Sequence, residues 1–534
     1  MTVYRVLIAD KLAPEGLAVF TQPVADGHLV VDERTGLSAE ELCRTIGTYD
    51  ALIVRSSSQV TEAVLEAAHK LRVIGRAGIG VDNIDVPAAT RRGIAVMNTP
   101  GGNNITTAEH AISMLLALAR SIPQATASMK AGKWEKSRFT GSELSNKLLG
   151  IIGIGNIGRL VAERAQGLRM KVIAYDPFLS EQKAREIGVE LLSLDELLAR
   201  ADFVSIHTPL MPETRNLIDA AALAKMKPTA RLVNCARGGI VDETALADAL
   251  RNKRLAGAAL DVFESEPPPP DHPLLQLDNV ICTPHLGAAT AEAQVNVAIA
   301  IAEQVVDFLV NNVTRSAVNV PSISAEMLVV LRPYLALAER LGSVQAQLLV
   351  EAPTELTVEF AGEISALDVQ PVTVAVLRGL LGRLLESSMV NYVNARELAR
   401  ERGIKVIEAK SSQPKGFQNL ISVRVRTAQK TSEVAGAVFG RDVIRLVKIN
   451  GFYLEAVPEG FILMLNNRDV PGVVGAVGML LGEAGINIAG LQLGREKVGG
   501  MALSLVHVDE RIPAPVLDRL RRLPNIVSAD LLEL

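Results

Sequence analysis

Three residues of this 534-residue chain could together move a hydride and a proton. Arg237 stands in NCARGGIVDE, Glu266 in GAALDVFESEP and His285 in TPHLGAAT. A guanidinium can grip a carboxylate through two parallel hydrogen bonds. An imidazole can take a hydroxyl proton while hydride leaves the same carbon. A carboxylate beside it orients the ring and stabilises the imidazolium that forms. Singly, each has a plain structural reading: a histidine after a proline usually satisfies its neighbours, and an Arg-Gly-Gly loop is more often a turn. Together they fit the oxidation of a 2-hydroxy acid.

A hydride needs an acceptor, and residues 148–176 offer a place for one. An apolar run enters the pattern G-x-G-x-x-G at Gly153, Gly155 and Gly158, a helical pattern follows, and a second apolar run ends in Asp176. The first glycine suits the tight turn out of a strand, the second a close approach of backbone to a pyrophosphate, and the third close packing of helix on sheet. Free N–H groups at the helix start favour the phosphate charge. Asp176 is spaced to accept hydrogen bonds from a ribose diol and to repel a 2′-phosphate, so NAD is expected rather than NADP.

The elements that must position these groups alternate along the chain. Apolar runs at 4–9, 29–31, 51–54, 73–74 and 94–97 are separated by helical patterns such as 39–46 and 61–69, which predicts a parallel sheet covered by helices. Ligands on such sheets bind at the carboxyl ends of strands. There stand Arg55-Ser56, Arg76 to Gly80 and the polar stretch 98–104, a set suited to an anionic substrate. Residues 106–120 predict an apolar helix capped by Thr106 or Thr107, with Glu109 or His110 near its first turn. Runs at 148–152, 171–175, 203–207, 231–234, 257–260 and 280–283 predict a second doubly wound sheet. A long helix over 288–311 leads away and is expected to return to the first unit, making that unit discontinuous. Helices over 327–349 and 372–402, with strands at 356–360, 405–408 and 420–426, predict an α+β region. The order from 460 to 534 is βαββαβ, a ferredoxin-like unit.

Composition excludes several function classes. Net charge is −4 with scattered cations, so no electrostatic footprint for nucleic acid is present. Mean hydropathy is +0.25, yet no unbroken apolar run reaches the ~18 residues of a membrane span. Cys43, Cys235 and Cys282 are odd in number and lack metal-ligand spacing, so no metal is expected and the chain reads as a protein of a reducing compartment, the cytoplasm.

Six motifs carry a resemblance: GRAGIGVDNID at 75–85, VMNTPGGN at 96–103, GIGNIG at 153–158, NCARGGIVDE at 234–243, GAALDVFESEP at 257–267 and TPHLGAAT at 283–290. On these the chain resembles the D-2-hydroxyacid dehydrogenases, and among them the long, three-part enzymes that oxidise 3-phospho-D-glycerate to 3-phosphooxypyruvate, the first step of L-serine synthesis. The resemblance implies two doubly wound parallel-sheet domains, flavodoxin-like (1–101 plus 295–320) and Rossmann (102–294). An α+β intervening domain (321–455) of the kind that binds substrate or other anions and an ACT domain (460–534) would follow. It implies that Arg237 binds the carboxylate, that His285 is the acid/base and that Glu266 is its partner. NAD would meet Gly153, Gly155, Asn156, Ile157, Gly158, Asp176, Thr208, Cys235, Ala236, Asp261, Gly287 and Ala288. Arg55, Ser56, Gly78 and Asn103 would line the substrate pocket. ACT modules of relatives pair between subunits and bind L-serine, which points to Asn467, Asp469 and Asn487 as effector residues and to a homotetramer.

Two other readings stay open at this level. The same triad serves reductases of glyoxylate, hydroxypyruvate, D-lactate or 2-oxoglutarate, because it recognises the 2-hydroxy acid and not its tail. An NAD-sensing scaffold that binds partner proteins could retain both fold and triad, although an amino-acid-sensing tail suits it poorly.

Overall fold

The computed structural model describes residues 2–311, 313–321, 325–385, 389–413 and 416–534. The first sheet is parallel, ordered β2-β1-β3-β4-β5, from β1 (Tyr4–Ile8), β2 (Leu29–Glu33), β3 (Ala51–Val54), β4 (Val73–Arg76) and β5 (Ala95–Met97). Its strands are short apolar runs because both faces are covered. One face packs on helices such as Ala39–Ile46, whose Ser38 and Glu41 form a reciprocal cap. The other face takes Val297, Ala298, Ile301, Ala302 and Val305 of the helix Ala291–Val306. The stretch Ala291–Asn311 is, by length and composition, apolar enough to cross a membrane. Here that apolarity is used against β4 and the helix Pro14–Ala18.

The second sheet is ordered β12-β11-β10-β9-β6-β7-β8. It comprises β6 (Leu148–Ile152), β7 (Lys171–Tyr175), β8 (Glu190–Leu191), β9 (Phe203–Ile206), β10 (Arg231–Asn234), β11 (Gly257–Leu260) and β12 (Val280–Cys282), all parallel. The order reverses beside β6, between β6 and β9, which is where a doubly wound sheet opens its ligand crevice. The helix Asn104–Arg120 joins the two sheets and packs on the second. It starts earlier than expected, at Asn104, with no side-chain cap. Thr106 and Thr107 are therefore inside it and are not its caps; Thr107 Oγ1 instead lies 2.9 Å from the Gly287 carbonyl oxygen.

The third sheet, β14-β13-β15-β16-β17-β18, is mixed. To the expected strands β13 (Glu355–Gly362), β14 (Lys405–Ser411) and β15 (Asn419–Arg426) it adds β16 (Thr431–Phe439), β17 (Val443–Ile449) and β18 (Phe452–Ala456), which no pattern announced. The helix expected over 372–402 is two helices, Gln370–Leu384 and Ala395–Glu401, and residues 386–388 within it lie outside the described set. The fourth sheet, β20-β21-β19-β22, is antiparallel and built from β19 (Phe461–Arg468), β20 (Ile488–Arg495), β21 (Met501–Val508) and β22 (Ile526–Glu533). One of its faces shares a core with the third sheet's helices: Ile462, Met464, Leu503 and Leu532 pack with Leu341 and Val376. Gln347 reinforces that junction, accepting from the Glu533 N–H at 2.9 Å and donating to its carbonyl at 3.1 Å.

Candidate active site

Strand ends of the first two sheets meet at one cleft. Its wall includes Arg76, Ile79, Gly80 and Asn103 from the first sheet's side. From the second come Asn156, Ile157, His207, Thr208, Cys235, Ala236, Arg237, His285, Gly287 and Ala288. Three buried polar atoms of wall residues have no hydrogen-bond partner: Arg76 Nε, Asn103 Oδ1 and Thr208 Oγ1. Buried polar groups are rarely left so, and three around one cleft mark a place built for a polar ligand.

His285 sits in left-handed backbone, φ 53°, which costs a residue with a side chain on the order of 1–3 kcal/mol. Asp261 holds the loop there. Its carbonyl accepts the His285 N–H at 2.9 Å, Oδ1 accepts the Leu286 N–H at 2.7 Å, and Oδ2 accepts the Gly287 N–H at 2.8 Å. Thr283 Oγ1 and His110 Nε2 also face Oδ1, at 2.5 and 3.1 Å. Burial would raise the Asp261 carboxyl pKa, but the hydrogen bonds from His110, Thr283 and the Leu286 N–H outweigh it and the net shift is downward. Asp261 was expected to touch NAD. It is buried beneath the His285 loop, where Oδ2 has the Gly287 N–H as its one donor among the described residues.

His285 Nδ1 lies 2.7 Å from Glu266 Oε2, and Glu266 Oε1 accepts the Phe263 N–H at 3.1 Å. A carboxylate only accepts, so Nδ1 carries the proton and Nε2 is left as the acceptor. The Glu266 hydrogen bond raises the imidazole pKa above its ordinary value; burial and Arg237 oppose it, and the Glu266 and Asp261 charges add to it. Burial pushes the Glu266 carboxyl up, but the bonds from His285 and the Phe263 N–H bring it below the usual range.

Arg237 leaves β10 through a turn stapled by Asn234, whose Oδ1 accepts the Ala236 N–H at 3.0 Å and whose Nδ2 donates to the Arg237 carbonyl at 2.9 Å. Gly238 lets this loop lie against the one bearing Glu266, since a Cβ there would fall 1.9 Å from the Phe263 carbonyl oxygen. Arg237, Glu266 and His285 are thus gathered from three neighbouring strand ends.

The glycine turn after β6 fits a dinucleotide. Gly155 caps the helix Asn156–Gly167 with no side chain in the way, and a Cβ on it would stand in open space, where a phosphate could lie. Gly158 packs with its missing Cβ 2.0 Å from the Gly153 carbonyl oxygen. Asp176 Oδ2 accepts the Ile154 N–H at 2.8 Å and Oδ1 accepts the Phe178 N–H at 2.9 Å, leaving lone pairs for a ribose diol.

The expected substrate residues divide. Asn103 is in the wall. Arg55 and Ser56 follow β3 outside it, in a turn where Asp10 accepts the Arg55 N–H at 2.6 Å. Gly78 acts indirectly, because a Cβ there would fall 1.5 Å from Arg76 Nη1. Arg76, noted for its charge and left out of the expected pocket, is a half-buried cation of the wall with its Nε buried. Burial, then the nearby Arg237, lower its pKa to about 10, against the pull of Asp82. Its signal was its place, last in β4 and two residues before Gly78.

The effector residues are not brought together within one chain. Asn467 is buried and held by Ser504 Oγ at 2.9 Å and by its own bond to the Arg468 carbonyl. Asp469 faces Arg495 at 3.2 Å. Asn487 donates to Asp509 at 2.6 Å, beside the other end of β21. The register puts Arg468 opposite Met501 and Phe461 opposite Val508, so the two groups are separated by roughly 20 Å at ~3.3 Å per residue.

Three family models match: the D-isomer specific 2-hydroxyacid dehydrogenase NAD binding domain over residues 112–287, the D-3-phosphoglycerate dehydrogenase intervening domain over 330–450, and the ACT domain over 461–525. The D-3-phosphoglycerate dehydrogenase of Synechocystis sp. is 44% identical over 529 residues, 99% of this chain and 94% of the relative. That of Archaeoglobus fulgidus is 44% identical over 532 residues, 99% of this chain and 100% of the relative. Among solved structures, an NAD-dependent formate dehydrogenase from Staphylococcus aureus in complex with NAD aligns with a TM-score of 0.52 at 29% identity, covering 59% of this chain and 97% of that one.

Proposed function

The chain belongs to the D-3-phosphoglycerate dehydrogenase family, and from that premise we propose that Arg237, Glu266 and His285 carry its chemistry. The reaction is the NAD-dependent oxidation of 3-phospho-D-glycerate to 3-phosphooxypyruvate, the first step of L-serine synthesis. Arg237 grips the substrate carboxylate. His285 Nε2 accepts the C2 hydroxyl proton, and Glu266 stabilises the imidazolium. Bound NAD would supply the acceptor for the hydride of C2. Gly153, Gly155, Asn156, Ile157 and Gly158 hold its phosphates, Asp176 its ribose, and Thr208, Cys235, Ala236, Gly287 and Ala288 its nicotinamide end. Arg76 and Asn103, with Arg55 and Ser56 on approach, meet the substrate's anionic tail. Asp261 holds the His285 loop and, through Oδ2, meets the nicotinamide end of NAD. The substrate-binding unit is 1–101 plus 295–320, the NAD-binding unit 102–294, the intervening unit 321–455 and the ACT unit 460–534.

The observation that supports this reading most is the His285–Glu266 pair at 2.7 Å on the rim of a cleft with three unpartnered polar atoms. Its test is the pH profile. Oxidation requires neutral His285, so kcat/KM should fall as pH drops through a pKa that lies above the ordinary ~6.5. Glu266→Gln removes the largest cause of that shift. The acid limb should move to lower pH while kcat falls by about 10²-fold. A profile flat from about pH 6 to 9, or a limb that Glu266→Gln leaves in place, would remove His285 from this role.

We propose further that the protein is a cytoplasmic homotetramer inhibited by L-serine. Three free cysteines support the compartment. The separation of Asn467 and Asp469 from Asn487 supports an effector bridging two copies, and exposed Leu491 and Leu493 on the edge strand β20 offer a surface for pairing. Sedimentation with and without serine, alongside turnover, tests this: a serine-indifferent enzyme sinks the effector assignment.

A further inference from the structure

Arg237 is tied across the cleft. Its Nε donates to Asp82 Oδ2 at 2.9 Å and its Nη1 donates to the Ala236 carbonyl at 2.7 Å. Asp82 follows β4 in the first sheet, whereas Arg237 follows β10 in the second. The chain leaves space for the pair. A Cβ on Gly80 would lie 2.0 Å from Arg237 Nη2 and 2.7 Å from Asp82 Oδ2, and Gly80 is not in the left-handed region, so turn geometry does not explain the glycine.

We propose that Asp82 is a positioning residue for the reaction, holding the Nε side of the Arg237 guanidinium so that Nη2 is presented to the substrate carboxylate. The proposal rests on Arg237 as the carboxylate grip. A guanidinium offers five donors in a fixed plane. Asp82 takes one, Ala236 takes another, and Nη2 has no hydrogen-bond partner among the described residues. A long side chain ordered in advance binds its ligand without the entropic cost of ordering it then. Asp82 also offsets a conflict. The charge of Arg237 disfavours that of the half-buried Arg76, and the Asp82 carboxylate favours it, so two cations can face one anionic substrate. Had Asp82 held the whole guanidinium, it would compete with substrate and its removal would tighten binding; with Nη2 left open, its removal weakens binding.

The test uses full-length enzyme, with turnover of 3-phospho-D-glycerate and with oxalate titrated against the NADH complex as a carboxylate probe. Asp82→Ala should raise both KM and the oxalate Kd by about tenfold, with a smaller loss of kcat and an unchanged NADH Kd. Asp82→Asn, which keeps an acceptor for Nε without the charge, should recover most of kcat and part of KM. In an Arg237→Ala enzyme, Asp82→Ala should change oxalate affinity no further, because a residue acting through another adds nothing once that one is gone. An unchanged or lower KM in Asp82→Ala overturns the proposal, as does an equal loss of oxalate affinity in both backgrounds. Arg237→Ala that still turns over at the wild-type rate removes the carboxylate grip itself, a failure distinct from an inert Asp82.

Discussion

At the end of β6 the chain reads Gly153-Ile154-Gly155-Asn156-Ile157-Gly158, and at the end of β4 it reads Arg76-Ala77-Gly78-Ile79-Gly80. Both turns leave a buried parallel strand and both face the same cleft, yet the missing side chains do different work. In the first turn the absent Cβ of Gly155 leaves open space, and that of Gly158 permits a backbone contact. In the second, the absent Cβ atoms of Gly78 and Gly80 leave room for Arg76 and Arg237. On the proposed reading, one turn offers backbone N–H groups to a phosphate. On the same reading, the other seats guanidinium groups whose donors meet a smaller anion. A glycine pattern at a strand end therefore does not identify its ligand; what fills the space where each Cβ would be does.

Substitutions at these glycines break or sharpen that contrast. Gly158→Ala should have the largest effect. Its Cβ would meet backbone 2.0 Å away, which cannot move aside, so we expect the second sheet's unit to lose about 3 kcal/mol and with it NAD binding, read by chemical denaturation and NADH fluorescence. A stable, NAD-binding variant would mean that helix and strand can separate there without consequence. Gly80→Ala should leave melting and NAD affinity untouched, because the atoms it meets are the mobile ends of Arg237 and Asp82. Displacing Arg237 should raise KM for 3-phosphoglycerate by about 30-fold, ~2 kcal/mol for a charge-assisted hydrogen bond. Loss of folding instead would make Gly80 a backbone position and erase the distinction between the turns.

The contrast also separates what the sequence made legible from what it did not. Ala51–Val54 and Gly257–Leu260 were readable to the residue because strands covered on both faces are unbroken apolar runs. The strands β16 to β18 were not, since Glu433, Arg445 and Lys448 interrupt their apolar residues. Glu433 and Lys448 pair across adjacent strands at 2.8 Å, a contact that exists only once the sheet has formed. Before the helix Ala395–Glu401 the chain meets a distant segment, where Asn391 Nδ2 donates to the Gly93 carbonyl at 2.8 Å. The gathering of Arg237, Glu266 and His285 at neighbouring strand ends was legible because each follows a strand end in an unusual local pattern. Asp82 was not, because Val-Asp-Asn in a turn is generic and its partner lies 155 residues on.

Gly155→Ala should come next in size. Its Cβ clashes with no protein atom within 4 Å, so stability should be unchanged, while the methyl group enters the space assigned to the pyrophosphate. NAD KM should rise about tenfold, ~1.4 kcal/mol. An unchanged KM would put the phosphates elsewhere.

The smallest effect tests a side chain that is bonded to the first turn. Asp176 accepts the Ile154 N–H through Oδ2 and the Phe178 N–H through Oδ1, so its carboxylate is fixed at the end of β7 before any ribose arrives. Asp176→Asn can keep one of those bonds but loses the negative charge and one acceptor oxygen. The loss of roughly one net hydrogen bond, ~1 kcal/mol, should raise NAD KM about fivefold. Removing the charge should also narrow the preference for NAD over NADP, since repulsion of a 2′-phosphate is what the carboxylate supplies. The ratio of the two kcat/KM values is the decisive readout. If KM rises and the ratio holds, Asp176 supports only the turn, and recognition at this sheet rests on backbone alone. If the ratio falls, one carboxylate on the second sheet does for the ribose what is proposed of Arg76 and Arg237 for the smaller anion.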